Sequence, residues 1–376
     1  MKILNVVGAR PNFMKIAPLI REMRKFPDVK PLLVHTGQHY DVKMAGQFFE
    51  DLQIPLPDVS LDVGSGTHAV QTAEVMKRLE PILDRERPEM VVVVGDVNST
   101  MAAALTAVKL HLPVAHVEAG LRSGDRSMPE EINRIVTDAI SDYLFVTEES
   151  GTRNLLAEGV SKEKIFEVGN VMIDSLEASR RLWANSTLLN RLGLEKGQYA
   201  VTTLHRPSNV DNLATLRGLI ESLLEVAKRI PVVFPIHPRT RKALEGMDKL
   251  GPGLYFGPPP TPAKGVHCMD PIGYLDFMSL VANARLVLTD SGGIQEETTV
   301  LGIPCLTLRE NTERPITVSH GTNRVIGSAP KRILEEVAKT LDSPGKPLLP
   351  PPLWDGHASE RIVKVLREQI RLGRVA

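Results

Sequence analysis

Carboxylate, histidine and arginine side chains follow short apolar runs at several points of this sequence. In the first half Asp96 and Glu118 come directly after such runs, and in the second half His205, Asp290 and Arg309 do so. Carboxylates and histidines can transfer protons, and arginines bind anions. If the runs are parallel strands, these side chains lie at the carboxyl ends of the strands, where α/β proteins bind ligands. The pattern indicates proton transfer on an anionic ligand.

A strand, a tight turn and a helix are predicted in the second half. Ser291, Gly292 and Gly293 form the turn, and Gly302 ends the helical pattern as a C-cap residue. Free amides at a helix start bind anions, and glycine lets a diphosphate approach the backbone. Glu297, one turn further on, could accept hydrogen bonds from ribose hydroxyls. An ordinary turn capped by Ser291 stays open on these residues alone.

Another helix start is predicted at Pro129, because proline favours the first helical turn. Glu130 and Arg134 are four residues apart and therefore share a face of this helix. Their spacing alone favours a surface ion pair, which contributes under about 1 kcal/mol. The spacing around Arg314 is likewise not distinctive.

Short apolar runs alternate with amphipathic stretches of helical length, such as residues 16–23 and 69–83. The runs predicted to be strands are residues 3–7, 32–35, 90–94, 114–117, 144–146, 200–203, 232–236, 286–289 and 305–308. Continuous apolar strands separated by helices are typical of parallel sheets covered on both faces. The predicted fold class is therefore α/β, with two Rossmann-like domains.

The length of 376 residues fits two domains, and their boundary is predicted within residues 170–192. The Pro- and Gly-rich segments 251–262 and 343–352 are predicted to be loops, because both residue types interrupt helices and strands. A last helix is predicted at residues 359–371.

The composition is that of a globular protein without net charge. Lys plus Arg equals Asp plus Glu, at 45 each, so no global field attracts nucleic acid or an anionic membrane. Cys268 and Cys305 are too few for a disulfide framework, which favours a reducing compartment. No apolar run reaches the roughly 18 residues of a membrane span. We expect a cytoplasmic protein without nucleic-acid or membrane partners.

Motifs for common cofactors do not occur in the sequence. No Gly-x-Gly-x-x-Gly follows a strand, and Walker A and Gly-x-Ser-x-Gly motifs are absent. His35 and His39 have the spacing of metal ligands on a helix, but Gly37 between them favours a turn. We expect neither a metal nor a cofactor.

Several longer motifs occur together in a fixed order. They are Gly8-Ala9-Arg10-Pro11 with Lys15, His35-Thr36-Gly37-Gln38-His39, Gly95-Asp96, His116-Val117-Glu118-Ala119-Gly120-Leu121-Arg122, Pro129-Glu130-Glu131 through Arg134, His205-Arg206, Asp290 through Glu297, and Thr312-Glu313-Arg314-Pro315. In this combination the chain closely resembles the non-hydrolysing UDP-N-acetylglucosamine 2-epimerases, from about residue 2 to about residue 370.

The resemblance implies the GT-B arrangement, in which two Rossmann-like domains face each other across a cleft. The domains it implies are residues 1–172, which carry the acid/base residues, and residues 173–355, which bind UDP. Residues 356–376 would form a helix that packs back on the first domain. The resemblance also implies a homodimer.

The resemblance also assigns functional residues, position by position. The catalytic residues it implies are Asp96, Glu118, Glu130, Arg134 and His205. The substrate-binding residues it implies are Arg10, Lys15, Phe277, Ser291, Gly292, Gly293, Glu297 and Arg314. The diphosphate is expected on Ser291, Gly292 and Gly293, and the ribose on Glu297.

The reaction implied is reversible epimerisation at C2 of UDP-N-acetylglucosamine, giving UDP-N-acetylmannosamine. UDP is eliminated to leave a 2-acetamidoglucal and is then added back. Relatives that act on UDP-2,3-diacetamido uronic acids share the forms found at residues 35–41 and 129–134, so such a substrate stays open. A GT-B glycosyltransferase, a hydrolysing epimerase and a silent nucleotide-sugar sensor are further alternatives.

Overall fold

The computed structural model describes residues 1–37, 56–247, 251–257, 264–343 and 350–373. The chain divides into two compact units, the first made of Met1–Ala178 with Pro352–Ala376 and the second of Ser179–Pro351. Among the residues described, no helix combines the length and apolar character needed to span a membrane.

The first unit is built on a parallel sheet of seven strands. The strands are β1 (Lys2–Val7), β2 (Lys30–His35), β3 (Val59–Ser60), β4 (Met90–Val94), β5 (Val114–Ala119), β6 (Tyr143–Val146) and β7 (Ile165–Glu167). Their spatial order is β3-β2-β1-β4-β5-β6-β7. The central strand β4 is apolar and buried along its whole length, as expected for a strand covered by helices on both faces.

Helices alternate with these strands along the chain. They are α1 (Arg10–Met23), α2 (His68–Glu86), α3 (Asn98–Lys109), α4 (Pro129–Ile140), α5 (Glu149–Ala157) and α6 (Val171–Ala178), with a short 3₁₀ helix at Lys162–Lys164. Apolar side chains of β1 and β4 pack against α2 and α3 in one hydrophobic core.

The second unit repeats this architecture with another parallel sheet of seven strands. The strands are β8 (Ala200–Thr203), β9 (Val232–Pro235), β10 (Leu254–Phe256), β11 (Val266–Met269), β12 (Leu286–Thr289), β13 (Cys305–Thr307) and β14 (Asn323–Val325). Their spatial order is β10-β11-β9-β8-β12-β13-β14. The helices are α7 (Arg180–Ala184), α8 (Leu188–Leu192), α9 (Pro207–Val210), α10 (Leu213–Ala227), α11 (Pro238–Glu245), α12 (Tyr274–Ala282), α13 (Gly292–Leu301), α14 (Ile316–Ser319) and α15 (Pro330–Asp342).

The last helix, α16 (Ala358–Arg371), belongs to the first unit. Its first amides, those of Ala358 and Ser359, donate hydrogen bonds of 3.0 and 2.7 Å to the Asp174 carboxylate on α6. The helix thus obtains its N-terminal cap from another helix. The predicted α/β class with two Rossmann-like domains, including the return of the last helix to the first, is confirmed.

The structure differs from the expected elements mainly at sheet edges. The segment predicted as a loop at residues 251–262 contains β10, while residues 258–263 lie outside the described part of the chain. The strands β3, β7, β11 and β14 were also not expected. The edge strands among these have two or three residues, too few for a periodic pattern to distinguish them from loops. The strand β11 lies between β10 and β9, and its four residues, Val-His-Cys-Met, include a histidine and so lack a continuous apolar run. His39, half of the rejected metal pair, lies outside the described residues.

Candidate active site

Each sheet has a point where the strand order reverses, and predicted site residues follow the strands there. In the first unit β1 and β4 are neighbours at this point, and they are followed by Arg10 at the start of α1 and by Asp96. In the second unit β8 and β12 are neighbours, and they are followed by His205 and Asp290. Ligands of open α/β sheets bind at the carboxyl ends of strands at such points.

Asp96 is held by a buried arginine. The Nε and Nη2 atoms of Arg134 donate hydrogen bonds of 3.1 and 2.7 Å to Asp96 Oδ2, and its Nη1 donates one of 2.6 Å to Glu131. Arg134 is only 3% exposed, so the surface ion pair expected for it is wrong. The helix face that carries Arg134 is turned inwards, and the arginine orients the Asp96 carboxylate.

Glu131 is a site residue that the spacing argument missed. Its carboxylate accepts hydrogen bonds of 2.9 Å from the amides of Ser123 and Gly124, in addition to the one from Arg134. Burial alone would raise the pKa of Glu131, but these amides and the Arg134 charge lower it below its usual value. Its neighbour Glu130, the predicted catalytic residue, lies partly exposed in the first turn of α4.

Glu118 and Lys15 form a buried ion pair at the end of β5. Glu118 has a φ of +74°, and the register of β5 with β6 shifts around it, which indicates a β-bulge. A Cβ atom on Gly95 would lie 3.0 Å from Lys15 Nζ and 3.5 Å from Glu118 Oε2. Gly95 is the neighbour of Asp96 in sequence. The structure therefore brings Lys15, Glu118 and the turn before Asp96 into one cluster.

In the second unit Arg314 lies over the start of α13. A Cβ atom on Gly292 would come within 2.7 Å of Arg314 Nη1, and Arg314 Nε donates a hydrogen bond of 2.6 Å to Glu296. The Ser291 amide donates to Thr289 Oγ1 at 3.0 Å, and within the described residues the Ser291 side chain makes no capping hydrogen bond. The helix dipole and a guanidinium thus meet at one place, as an anion site requires.

Three arginine side chains contact the Glu313 carboxylate next to the start of α13. Arg309 donates hydrogen bonds of 2.9 and 2.7 Å to it, while Arg206 and Arg314 form ion pairs with it at 3.6 and 3.7 Å. Burial opposes ionisation of Glu313, but the bonds from Arg309 and the three positive charges hold its pKa well below the usual range. Arg309 and Arg314 are close to Glu313 in sequence, but Arg206 comes from a distant segment, and spacing does not show that the three surround one buried carboxylate.

Glu297 is buried on α13 and accepts a hydrogen bond of 3.1 Å from the Tyr274 hydroxyl on α12. Burial, with a smaller effect of the adjacent Glu296 carboxylate, raises the pKa of Glu297 to about 8. Phe277, another predicted substrate-binding residue, lies on α12 about one turn after Tyr274 and is partly buried.

His205 is oriented by the buried carboxylate of Asp290. The His205 Nδ1 atom lies 2.9 Å from Asp290 Oδ1, and the histidine side chain stays 43% exposed. Asp290 also accepts hydrogen bonds from the amides of His205 and Arg206 and from Asn209 Nδ2, at 3.0–3.2 Å. Burial would raise the pKa of Asp290, but His205 and these donors lower it. Within the part of the chain described, no three His, Cys, Asp or Glu residues form a possible metal site.

Paired Rossmann-like units define an α/β enzyme of GT-B type. The first unit carries the carboxylates of Asp96 and Glu118, each paired with a buried cation, and the second carries the start of α13 beside Arg314. A glycosyltransferase from Streptomyces nogalater shares this fold with a TM-score of 0.53, at 13% identity and with coverage of 97% of this chain and all of that one.

Comparison with known sequences identifies the family within this class of enzymes. Residues 21–367 match the family described as UDP-N-acetylglucosamine 2-epimerase. A UDP-N-acetylglucosamine 2-epimerase homolog of Methanococcus maripaludis is 43% identical, and the match covers 98% of this chain and 99% of that protein. A UDP-2,3-diacetamido-2,3-dideoxy-D-glucuronate 2-epimerase of Pseudomonas aeruginosa is 40% identical, and the match covers 97% of this chain and 99% of that protein.

A solved structure agrees with the sequence comparison. The UDP-GlcNAc 2-epimerase of Methanocaldococcus jannaschii, in complex with UDP-GlcNAc and UDP, superimposes with a TM-score of 0.87 at 40% identity. The match covers 98% of this chain and 100% of that one. The chain belongs to the UDP-N-acetylglucosamine 2-epimerase family, and the resemblance found from its motifs is confirmed.

Proposed function

We propose that this chain interconverts UDP-N-acetylglucosamine and UDP-N-acetylmannosamine by elimination and re-addition of UDP. The proposal assigns UDP to the second unit, with the diphosphate at the start of α13 and the ribose on Glu297. It assigns proton transfer to Asp96, Glu118 and Glu130 of the first unit. Family membership and the UDP complex of the M. jannaschii relative support this assignment.

In the first half-reaction the C1–oxygen bond to the diphosphate breaks and UDP leaves with the bonding electrons. Positive charge develops at C1 as the diphosphate leaves, and this makes the proton on C2 more acidic. A carboxylate removes that proton, so that a C1–C2 double bond forms. General base catalysis of this kind contributes about 10²–10⁴-fold. The departing diphosphate gains negative charge, which the α13 amides with Arg314, and Arg10 as a further anion contact, would stabilise.

In the second half-reaction a carboxylic acid protonates C2 from the opposite face of the sugar, and the diphosphate oxygen re-forms the bond to C1. Two faces require two separate proton-transfer groups. The observation that carries this proposal is that Asp96 and Glu118 are held by different buried cations, Arg134 and Lys15. Each carboxylate thus has its own cation, as expected for two separate proton-transfer groups. His205, fixed by Asp290, is proposed to contact the substrate.

A UDP-2,3-diacetamido uronic acid is the second candidate substrate. The P. aeruginosa relative named for that substrate is almost as similar to this chain as the M. maripaludis protein is. The shared forms at residues 35–41 and 129–134 favour it as well. A homodimer and a cytoplasmic location belong to the same proposal. The homodimer rests on the family resemblance, and the location rests on the two cysteines and the absence of a long apolar run in the sequence.

The proposal is tested by incubating the protein with each nucleotide sugar alone in D₂O. We expect the C2 epimer of one of them to form with deuterium at C2. Free sugar with UDP would indicate hydrolysis, and absence of exchange with both substrates would contradict epimerisation. Asp96→Asn, Glu118→Gln and Glu130→Gln should each lower turnover far more than UDP affinity. Wild-type turnover in all three would remove the assignment of the carboxylates.

A further inference from the structure

The backbone of Glu118 adopts a conformation that non-glycine residues rarely adopt. Its φ of +74° lies in the left-handed region, and it is placed at a bulge between Val117 and Ala119. Such a conformation persists only when surrounding contacts enforce it. The residues that enforce it therefore control where the Glu118 carboxylate lies.

Asp138 on α4 binds the chain on both sides of this bulge. Its Oδ1 atom lies 2.6 Å from Nδ1 of His116, two residues before Glu118, and its Oδ2 accepts a 3.0 Å hydrogen bond from the amide of Gly120, two residues after it. Arg122 forms a 2.7 Å ion pair with the same Oδ2 atom. The Asp138 carboxylate thus contacts the chain two residues before and two residues after Glu118.

His116 extends this contact to the turn that carries Asp96. Its Nε2 atom lies 2.8 Å from the carbonyl oxygen of Gly95, and the whole side chain is buried. A carbonyl oxygen only accepts hydrogen bonds, so Nε2 carries a proton. Burial would raise the pKa of Asp138, but the positive charges of His116 and Arg122 and their hydrogen bonds lower it. One buried imidazole ring thus joins the Asp138 carboxylate to the Gly95 carbonyl.

The Gly95 peptide is a further link between the two predicted catalytic carboxylates. Gly95 has a φ of +69°, and its amide donates a 3.0 Å hydrogen bond to the Val117 carbonyl on β5. The Lys15 ammonium and the Glu118 carboxylate lie so close to it that a Cβ atom on Gly95 would be 3.0 and 3.5 Å from them. A movement of this peptide would displace Asp96 and disturb the ion pair of Glu118 together.

We propose that His116 and Asp138 are positioning residues, a buried hydrogen-bonded pair that fixes Asp96 and Glu118 relative to each other. This inference rests on the proposed function, since it assumes that these two carboxylates transfer the protons. Neither residue of the pair is assigned a contact with the substrate. The pair acts through the Gly95 carbonyl and through the bulge at Glu118.

The test is steady-state kinetics of Asp138→Asn and His116→Gln, each of which removes part of the pair while keeping a side chain of similar size. We expect kcat to fall at least tenfold, while KM and the dissociation constant of UDP change less than threefold. Wild-type kcat in either folded variant would overturn the inference. A tenfold rise in KM at unchanged kcat would overturn it too, because misplaced carboxylates affect turnover rather than binding.

A double-mutant cycle separates positioning from a general effect on the fold. Asp138→Asn added to Glu118→Gln should lower kcat much less than Asp138→Asn alone, because the displaced group is already inactive. Full additivity would contradict the inference. Val75→Ala removes buried apolar contacts from the hydrophobic core between β1, β4, α2 and α3 and serves as the stability control. We expect it to have a lower Tm but a normal kcat.

Failure of the inference and failure of the proposed function give different results. If Asp96→Asn and Glu118→Gln lower turnover but the variants of the pair do not, only the positioning role is wrong. If all four variants retain wild-type turnover, Asp96 and Glu118 are not the catalytic carboxylates, and their assignment fails together with the positioning role. The proposed function itself fails only if the wild-type protein exchanges no deuterium into C2 of either nucleotide sugar. If Asp138→Asn does not fold, His116→Gln provides the same measurement.

Discussion

The hydroxyl of Tyr274 donates a hydrogen bond of 3.1 Å to the buried carboxylate of Glu297, across the two helices α12 and α13. An ionised carboxylate accepts hydrogen bonds from ribose hydroxyls more strongly than a protonated one, because both of its oxygens are free of protons and carry negative charge. Burial opposes that ionised form and raises the pKa of Glu297 to about 8. If the ribose binds here, nucleotide binding and ionisation of Glu297 are linked.

The first prediction concerns the pH dependence of UDP binding. With a pKa of about 8 in the free protein, Glu297 is largely protonated near pH 7, and bound hydroxyls favour its ionised form. Binding therefore releases a proton below pH 8, so UDP affinity should rise with pH, by up to about tenfold per unit, and level off above 8. Titration calorimetry in two buffers with different ionisation enthalpies counts the released protons. Equal proton release by Glu297→Gln would contradict this linkage.

The second prediction concerns Tyr274→Phe, which removes the hydroxyl but keeps the ring. UDP affinity should fall about three- to tenfold, the worth of one hydrogen bond, because Glu297 loses a donor that orients it. The affinity for 2′,3′-dideoxy-UDP should change much less, since that ligand does not use the carboxylate. Tyr199→Phe is the matched control, because the Tyr199 hydroxyl bonds the Leu280 carbonyl in the same unit. The same loss with both nucleotides would rule out a role through the ribose.

The third prediction concerns Gly292→Ala at the start of α13. A methyl group there would lie 2.7 Å from Arg314 Nη1, so the guanidinium must move away from the helix start. UDP should bind about tenfold more weakly, as expected for the loss of one charge-assisted hydrogen bond. Gly218→Ala is the control, since its nearest neighbour, Pro330, is at an ordinary 3.5 Å. Unchanged UDP affinity in Gly292→Ala would argue against this phosphate site.

The fourth prediction concerns the attachment of the last helix. Asp174→Ala removes the acceptor for the amides of Ala358 and Ser359, so the free energy of unfolding should fall by about 1–3 kcal/mol. Urea denaturation measures the loss, and UDP affinity should stay unchanged in the folded variant. Glu360→Gln, in the exposed first turn of the same helix, should change the unfolding free energy by less than about 0.5 kcal/mol. An equal effect of both substitutions would contradict the capping role.

Local signals in the sequence predicted the central elements closely. The bounds of β4 agree with the expected residues 90–94, and α13 ends before Gly302, whose φ of +73° fits the expected C-cap. These features depend on neighbours in the chain, namely continuous apolar residues and a glycine after the last helical turn. The strand β10 was missed, because three residues at a sheet edge are recognised by pairing with β11 and not by their own pattern.

The sequence predicted which residues belong to the site, but not which of them contact each other. Motifs identified Lys15 and Glu118 separately, but their ion pair depends on the close approach of α1 and β5. Spacing placed Arg134 on the surface with Glu130, whereas the structure buries it against Asp96 and Glu131. The helical period shows which residues share a face, but it does not show which face the sheet covers.

Two α/β units, the turn and helix that begin at Ser291, and the family were all predictable from the amino-acid sequence. Those conclusions rest on short-range patterns, in which each residue's preference is set by its neighbours in the chain. The pairing of charges across the fold, such as Asp138 with His116 and Glu313 with Arg206, became visible in the folded chain alone. Burial and pairing depend on atoms from distant segments, whose approach no local preference encodes.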